Sequence, residues 1–459
     1  MNPSRTFQDQ PTALIDRIVD LMDPAGNILL SGTFDQAVEA VASGDASRVA
    51  HIQGQFAICA KSGKTIRMAR SIGRPMRYFL AKRAEGPALI VAERIDEIHQ
   101  QLVREGLGDQ FRAAYTRMVP AHHLLELQLV GCPDPNPALT RFFAPPRNRL
   151  PGDVETIGQA YIGRLAEVCD QWLESIPADA PIGVMFSGGI DSTSIIVLMD
   201  FLIRRRGQSP ARLKAFTLNV GDEDSTDARQ ALACLESMNL QMLWEPVKVE
   251  PNAVDWREAV QVIEDYKPLD VQAAAMGIAL LREVRRRYPT WKYLIDGDGG
   301  DENLKDYPIE ENPELTIRSV LGNRMLYQEG WGVDAVKHSL TYSGGQSRGH
   351  VRTAAPAKKF GFEGFSPYAT TAVIEVAEAI PFVGLTDWDH QRLYDLKGQI
   401  VASGIQQICG VTMPVFPKSR FQHGAVGPID QGPLFPEKEQ AYRDAFASIQ
   451  RGTADVQVH

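Results

Sequence analysis

"MFSGGIDSTSI", residues 185–195, decides how this chain is read. The apolar run PIGVMF (181–186) stops at Ser187, Gly188 and Gly189, and a second apolar run, TSIIVLMDFLIRR (193–205), begins just past Asp191 and Ser192. The short run fits a buried strand and the longer one a helix. Two glycines between them let the backbone turn tightly and come close to a ligand. The first turn of the helix offers unpaired N–H groups and a positive dipole end, which suit a phosphate. Ser187 and Ser192 add hydroxyl donors, and Asp191 is placed to hold the Mg2+ that accompanies a nucleotide. A plain strand-to-helix turn capped by Ser and Asp would use the same residue types. No GxxxxGK[ST] occurs, so a loop that transfers a γ-phosphate is not expected.

A second stretch, "YLIDGDGGDENLKDYP" (293–308), repeats the arrangement: a short strand followed by glycines beside Asp298 and Asp301. Two strand ends carrying Gly/Asp clusters can converge on one metal–phosphate site. An acidic surface loop would look similar. The stretch lacks the DxDxDG spacing of an EF-hand calcium loop.

The surroundings are those of a parallel sheet. VETIGQAYIGRLAEVCDQWLESI (154–176) has helical spacing, LKAFTLNV (213–220) reads as a strand, DARQALACLESMNL (227–240) as a helix and WKYLID (291–296) as a strand. Such alternation predicts a doubly wound α/β domain, which binds its ligands at the carboxyl ends of the strands. Residues 132–153, CPDPNPALTRFFAPPRNRLPGD, hold six prolines and predict an extended linker. Before it, GNILLSGTF, RVAHIQGQFAICAK, KTIRMARS, MRYFLAKR and PALIVAER predict a meander of strands. The expected organisation is therefore a β-rich α+β domain (1–131), a linker (132–153) and an α/β domain (154–459).

A chain of 459 residues with 44% hydrophobic content can bury two cores. No apolar run approaches about 18 residues, and the polar start MNPSRTFQDQ lacks a secretory pattern, so a cytoplasmic protein without a membrane partner is expected. The net charge of −9 argues against nucleic acid as the main partner. Cys59, Cys132, Cys169, Cys234 and Cys409 form no CxxC pair and predict neither a zinc site nor a disulfide framework.

SGGIDS followed by GDGGDE resembles the synthetase domain of class B asparagine synthetases and β-lactam synthetases, PP-loop enzymes that split ATP to AMP and pyrophosphate. The likeness continues through AFTLNV (215–220), GFEGFSPY (361–368) and MPVFPKSRFQHGAV (413–426). Residues 52–98 are similar to the family's N-terminal glutaminase sheet, an Ntn-hydrolase fold. The resemblance implies an enzyme that adenylates a small-molecule or peptide carboxylate and passes it to an amine or ammonia, with ATP and Mg2+ required. It assigns pyrophosphate binding to Ser187, Gly188, Gly189, Asp191 and Ser192, adenine contacts to Leu218 and the backbone near Phe186 and Gly297, and Mg2+ to Asp191 and Asp301. Lys418 is then the late catalytic cation. Asp298 stands where asparagine synthetases have Glu and β-lactam synthetase has Tyr, which suggests an acid/base partner for the amine, paired with Glu363 or not. Glu363 in a structural salt bridge is the other reading.

Glutamine-dependent members carry Cys directly after the initiator Met, whereas this sequence begins Met1-Asn2. The expectation is a degenerate N-terminal domain without glutaminase activity. Between Lys337 and Lys359 the chain carries Lys337, Arg348, Arg352, Lys358 and Lys359 with His338 and His350 and no acid, which reads as a basic lid or as a solvated loop. An ammonia-dependent asparagine synthetase and a lasso-type peptide macrolactam cyclase remain alternative readings. Homodimerisation is left open.

Overall fold

The computed structural model describes residues 17–128, 137–221, 224–307, 309, 316–322, 350–416, 424–426 and 434–455. Most of the N-terminal strands are short runs rich in apolar residues and bounded by turn residues. They are β1 (Arg17–Asp20), β2 (Ile28–Leu29), β3 (Gly54–Gln55), β4 (Ala57–Ser62), β5 (Thr65–Arg70), β6 (Arg77–Ala81), β7 (Ala88–Ala92), β8 (Arg117–Met118), β9 (His123–Gln128) and β10 (Ala138–Arg141). Among the described residues they make two four-stranded sheets, ordered β1-β7-β6-β8 and β10-β9-β5-β4, with β2 and β3 paired separately. Met68, Tyr78, Leu89, Val91, Leu125 and Leu127 fill the space between the two sheets. The helix Phe34–Ser43 packs on the outer face of the second sheet, started by a capping box between Thr33 and Gln36. β10 lies inside the Pro-rich stretch and pairs antiparallel with β9, so the first sheet system reaches Arg141.

The second unit is built on five parallel strands: β11 (Ile182–Met185), β12 (Leu213–Val220), β13 (Trp244–Val249), β14 (Tyr293–Ile295) and β15 (Glu363–Phe365). Their order is β13-β12-β11-β14-β15. Chain order thus runs outward from β11 in both directions, and the crevice between β11 and β14 is the switch point at which such sheets bind ligands. Helices Val154–Ser175, Ile190–Arg205 and His390–Cys409 cover one face. Helices Trp256–Ile263 and Pro268–Arg287 cover the other. The expected doubly wound arrangement is present. Asp153, Ser225, Asp255 and Asp389 each cap a helix with a side-chain oxygen, so these ends are set by local sequence.

The two units share one core. Phe79, Ile90 and Ile98 of the first pack in the same cluster as Phe216, Leu218 and Val247 of the second. Glu264, held at φ 51°, completes the seam. Its carboxylate accepts the N–H groups of Ile95 and Asp96, both at 2.9 Å, capping the helix Ile95–Arg104 from the other unit. No helix among the described residues is long and apolar enough to cross a membrane.

Candidate active site

The helix Ile190–Arg205 begins at Gly189 with no side-chain cap, leaving its first N–H groups facing the crevice at the end of β11. Gly188 sits at φ 76°, and a Cβ there would lie 2.8 Å from the backbone of Ala231, so no other residue fits the turn without displacement. Hydroxyls brace the loop internally. The Ser187 N–H donates to Ser192 Oγ at 3.3 Å, Gly189 N–H to Ser187 Oγ at 3.3 Å, and Ser192 Oγ to the Gly189 carbonyl at 3.2 Å.

The loop after β14 closes directly on this turn. A Cβ on Gly297 would lie 2.9 Å from Asp191 C and Ser192 N, and one on Gly300 would lie 2.3 Å from Asp191 Oδ1. Glycine at these two positions is what lets the SGGIDS and GDGGDE segments touch. The two motifs expected to converge do so, and Phe186 and Leu218 lie at the carboxyl ends of the adjacent strands β11 and β12, both buried. Phe186 N–H extends the ladder to the Phe216 carbonyl at 2.9 Å.

Asp191 and Asp301 face each other across the ammonium of Lys397. Nζ donates to Asp191 Oδ2 at 2.7 Å, to Asp301 Oδ1, and to Asp306 Oδ2 at 3.2 Å, with only 3% of the lysine side chain exposed. Burial opposes the lysine's charge, but the three carboxylates outweigh it and hold the ammonium well above its ordinary pKa. Burial pushes the Asp191 carboxyl up to about 7, the ammonium pulling against it and Asp301 adding to it. Asp191 Oδ1 has no hydrogen-bond partner although it is buried. An unpaired carboxylate oxygen beside a second carboxylate suits a hard divalent cation. Among the described residues no group of three or more His, Cys, Asp or Glu is arranged to hold a metal alone. Asp191 and Asp301 therefore fit Mg2+ that arrives with phosphate oxygens completing its shell.

Asp298 is half-buried beyond Asp191 and Asp301. Thr353 Oγ1 donates to its Oδ2, and its N–H donates to Asp296 Oδ1 at 3.0 Å. Burial raises its carboxyl, with Arg352 acting in the opposite sense. Arg352 reaches from the segment expected to be a lid and is held charged against burial by Asp270, Glu302, Asp298 and Asp301. Its Nε lies 3.5 Å from Asp270 Oδ1. Lys358 pairs with Glu93 at 2.8 Å and Lys359 with Glu258 at 3.2 Å. These three cations of the basic segment are thus engaged with the protein's own acids, while Lys337, His338 and Arg348 lie outside the described residues.

Two expected catalytic residues need separate comment. Glu363 is not brought to Asp298. It opens β15 opposite Tyr293, at the amino-terminal end of the sheet, and pairs with Lys292 at 2.8 Å with 43% of its side chain exposed. Parallel strands put their amino ends on the face away from the crevice, so its structural salt-bridge reading is the one realised. Ser366 and Tyr368 of the same GFEGFSPY segment reach the site instead. Ser366 Oγ donates to Asp296 Oδ2 at 3.0 Å, and the Tyr368 hydroxyl hydrogen-bonds Ser194 Oγ. Lys418 lies outside the described residues. Flanking it, residues 411–416 leave the end of helix His390–Cys409, and Val220 N–H donates to the Ala425 carbonyl at 2.9 Å at the end of β12.

Residues 174–354 match the family model described as asparagine synthase. Over that stretch the chain is similar to asparagine synthases. Putative glutamine-hydrolysing asparagine synthetases of Mycobacterium bovis and Mycobacterium tuberculosis are 27% identical to it over 182 residues, 40% of this chain and 26% of each relative. The match thus spans about a quarter of the length of those relatives. A NAD+ synthetase from Burkholderia pseudomallei, 14% identical, aligns over 67% of this chain and 93% of its own with a TM-score of 0.24, too low to inform the fold.

Proposed function

We propose that this asparagine synthetase-like chain is an AMP-forming amide-bond ligase that uses its own amine or ammonia supply rather than glutamine. The observation that carries the reading is the contact between the loop after β11 and the loop after β14, where Gly297 and Gly300 pack on Asp191. In this reading the pyrophosphate of ATP rests on the N–H groups and hydroxyls of Ser187, Gly188, Gly189 and Ser192, and adenine lies against the strand ends at Phe186, Leu218 and Gly297. Asp191 and Asp301 would hold Mg2+, which when bound would offset phosphate charge.

The substrate carboxylate attacks the α-phosphorus in line, and pyrophosphate departs toward the helix N-terminus. The amine nitrogen then attacks the acyl carbon and AMP leaves. The protein's work is chiefly positioning and charge compensation. Asp298 is the group assigned to take the amine's proton, and Lys418 the cation assigned to the developing negative charge. Glutamine independence is supported by the described cysteines. Burial pushes the thiols of Cys59, Cys169, Cys234 and Cys409 upward, the last to about 12, so none is an activated nucleophile.

The test is ATP–pyrophosphate exchange over a panel of carboxylates, followed by product analysis with candidate amines and with ammonium. Exchange dependent on one carboxylate, with AMP as the nucleotide product and no glutamate released from glutamine, is expected. ADP as product would overturn the reading. Exchange with aspartate and amidation by ammonium would narrow it to an ammonia-dependent asparagine synthetase.

A further inference from the structure

Lys397 belongs to no motif by which the site was found, yet it is the most enclosed charge in it. It lies on helix His390–Cys409, on the same stripe as the buried Leu393, Ile400, Val401 and Gly404. A lysine on such a stripe needs partners to be tolerated there. It has three, Asp191 from the loop after β11 and Asp301 and Asp306 from the stretch after β14.

Three carboxylates gathered within hydrogen-bond reach of one point repel one another strongly in a medium that screens poorly. A cation must therefore sit among them, and in the absence of divalent metal the protein supplies it. We infer that Lys397 is a resident counter-cation: it holds Asp191 and Asp301 in metal-binding register before nucleotide arrives, so that Mg2+ would enter with ATP rather than to assemble the site. With all three acids ionised the cluster carries a net charge of −2, which one divalent ion neutralises. Asp191 keeps Oδ1 free while Oδ2 accepts from the ammonium, so metal and lysine can occupy opposite oxygens of the same carboxylate. Lys397 is on this account a positioning residue. The inference rests on the assignment of Asp191 and Asp301 to the metal.

The experiment is thermal unfolding of the full chain in EDTA, in Mg2+ alone and in Mg2+ with ATP. Wild type should gain little from Mg2+ alone. Lys397→Met, which keeps the length and loses the charge, should melt roughly 5 °C or more lower in EDTA. It should recover much of that loss on adding Mg2+, because the ion then replaces the missing ammonium. The double variant Asp306→Asn/Lys397→Met removes one of the repelling charges and should melt higher in EDTA than Lys397→Met. That comparison still decides the matter if the single variant fails to fold. An equal deficit of Lys397→Met in EDTA and in Mg2+, or no gain from the added Asp306→Asn, would make Lys397 a packing residue and overturn the inference. If the variants behave as expected in EDTA and in Mg2+ but wild type shows no additional shift with ATP and Mg2+, the nucleotide assignment fails, and with it the metal half of the inference, while the charge latch stands.

Discussion

Gly158 and Gly404 meet backbone to backbone. A Cβ on Gly404 would lie 2.3 Å from the Gly158 carbonyl oxygen, and one on Gly158 would lie 2.6 Å from the Ile400 carbonyl oxygen. This contact lets helices Val154–Ser175 and His390–Cys409 approach closely, and Lys397 sits two turns before Gly404 on the second of them. Gly404→Ala should therefore cost more than a helix glycine-to-alanine change elsewhere, where alanine is usually favourable. Overpacking of this kind costs about 1–3 kcal/mol, which urea denaturation would resolve. Stability equal to or above wild type would show that the helices can separate freely.

Gly188 is the position of the turn 187–189 least open to substitution. Gly188→Ala asks for a left-handed alanine and pushes its Cβ against Ala231. Strain of about 1–2 kcal/mol is expected from the backbone alone. Since the turn must yield to relieve it, ATP should bind roughly tenfold more weakly or worse, by the relation of 1.4 kcal/mol to one decade. Isothermal titration with ATP and Mg2+ measures this directly. Unaltered affinity would mean that the pyrophosphate does not use this turn.

Much of this site could be read in the sequence because its chemistry is local. SGGIDS and GDGGDE each follow a short apolar strand, and tight turns at strand ends require glycine in recognisable clusters. What escaped was supplied by distant segments. Lys397 comes from a helix far along the chain, and its one sequence signal is a charge on an otherwise apolar stripe. Arg352 fell in a basic segment that read as a lid or as a solvated loop, since nothing local shows that Asp270 and Glu302 surround it. Glu363 misled for the converse reason: its motif is at the site, but a three-residue strand puts Glu363 at one end and Ser366 at the other. β10 was hidden by prolines on both sides, although Ala138–Arg141 itself contains none. Pairing with β9 overrode the linker signal.

Asp298 and Glu363 should separate cleanly in kinetics. If Asp298 takes the amine's proton, Asp298→Asn should leave carboxylate-dependent pyrophosphate exchange largely intact and lower amide formation by about 10²-fold or more. Glu363→Gln should leave both steps near wild type, because its partner Lys292 is a half-exposed surface lysine and such pairs contribute about 0–1 kcal/mol. Equal losses of exchange and amide formation in Asp298→Asn would place its role in nucleotide binding instead.

Asp296 gives the site a pH-dependent stability whose sign can be worked out. Its Oδ1 accepts the Asp298 N–H and its Oδ2 accepts Ser366 Oγ, both at 3.0 Å. Burial, and after it the charge of Asp298, raises its carboxyl well above the ordinary 3.8. The folded chain thus holds a proton that the unfolded chain releases at lower pH. The stabilisation is complete below the unfolded pKa and is lost as pH rises from there through the folded value. Asp296→Asn cannot ionise. It should be less stable than wild type near pH 4, where one hydrogen bond must rearrange, and should close that gap as pH increases, by at most about 1.4 kcal/mol per pH unit. Urea denaturation of both proteins from pH 4 to pH 8 reads the difference. Parallel stability curves across that range would mean that Asp296 ionises in the folded protein as readily as in the unfolded chain, and that the buried carboxyl is stabilised as an anion by its two donors.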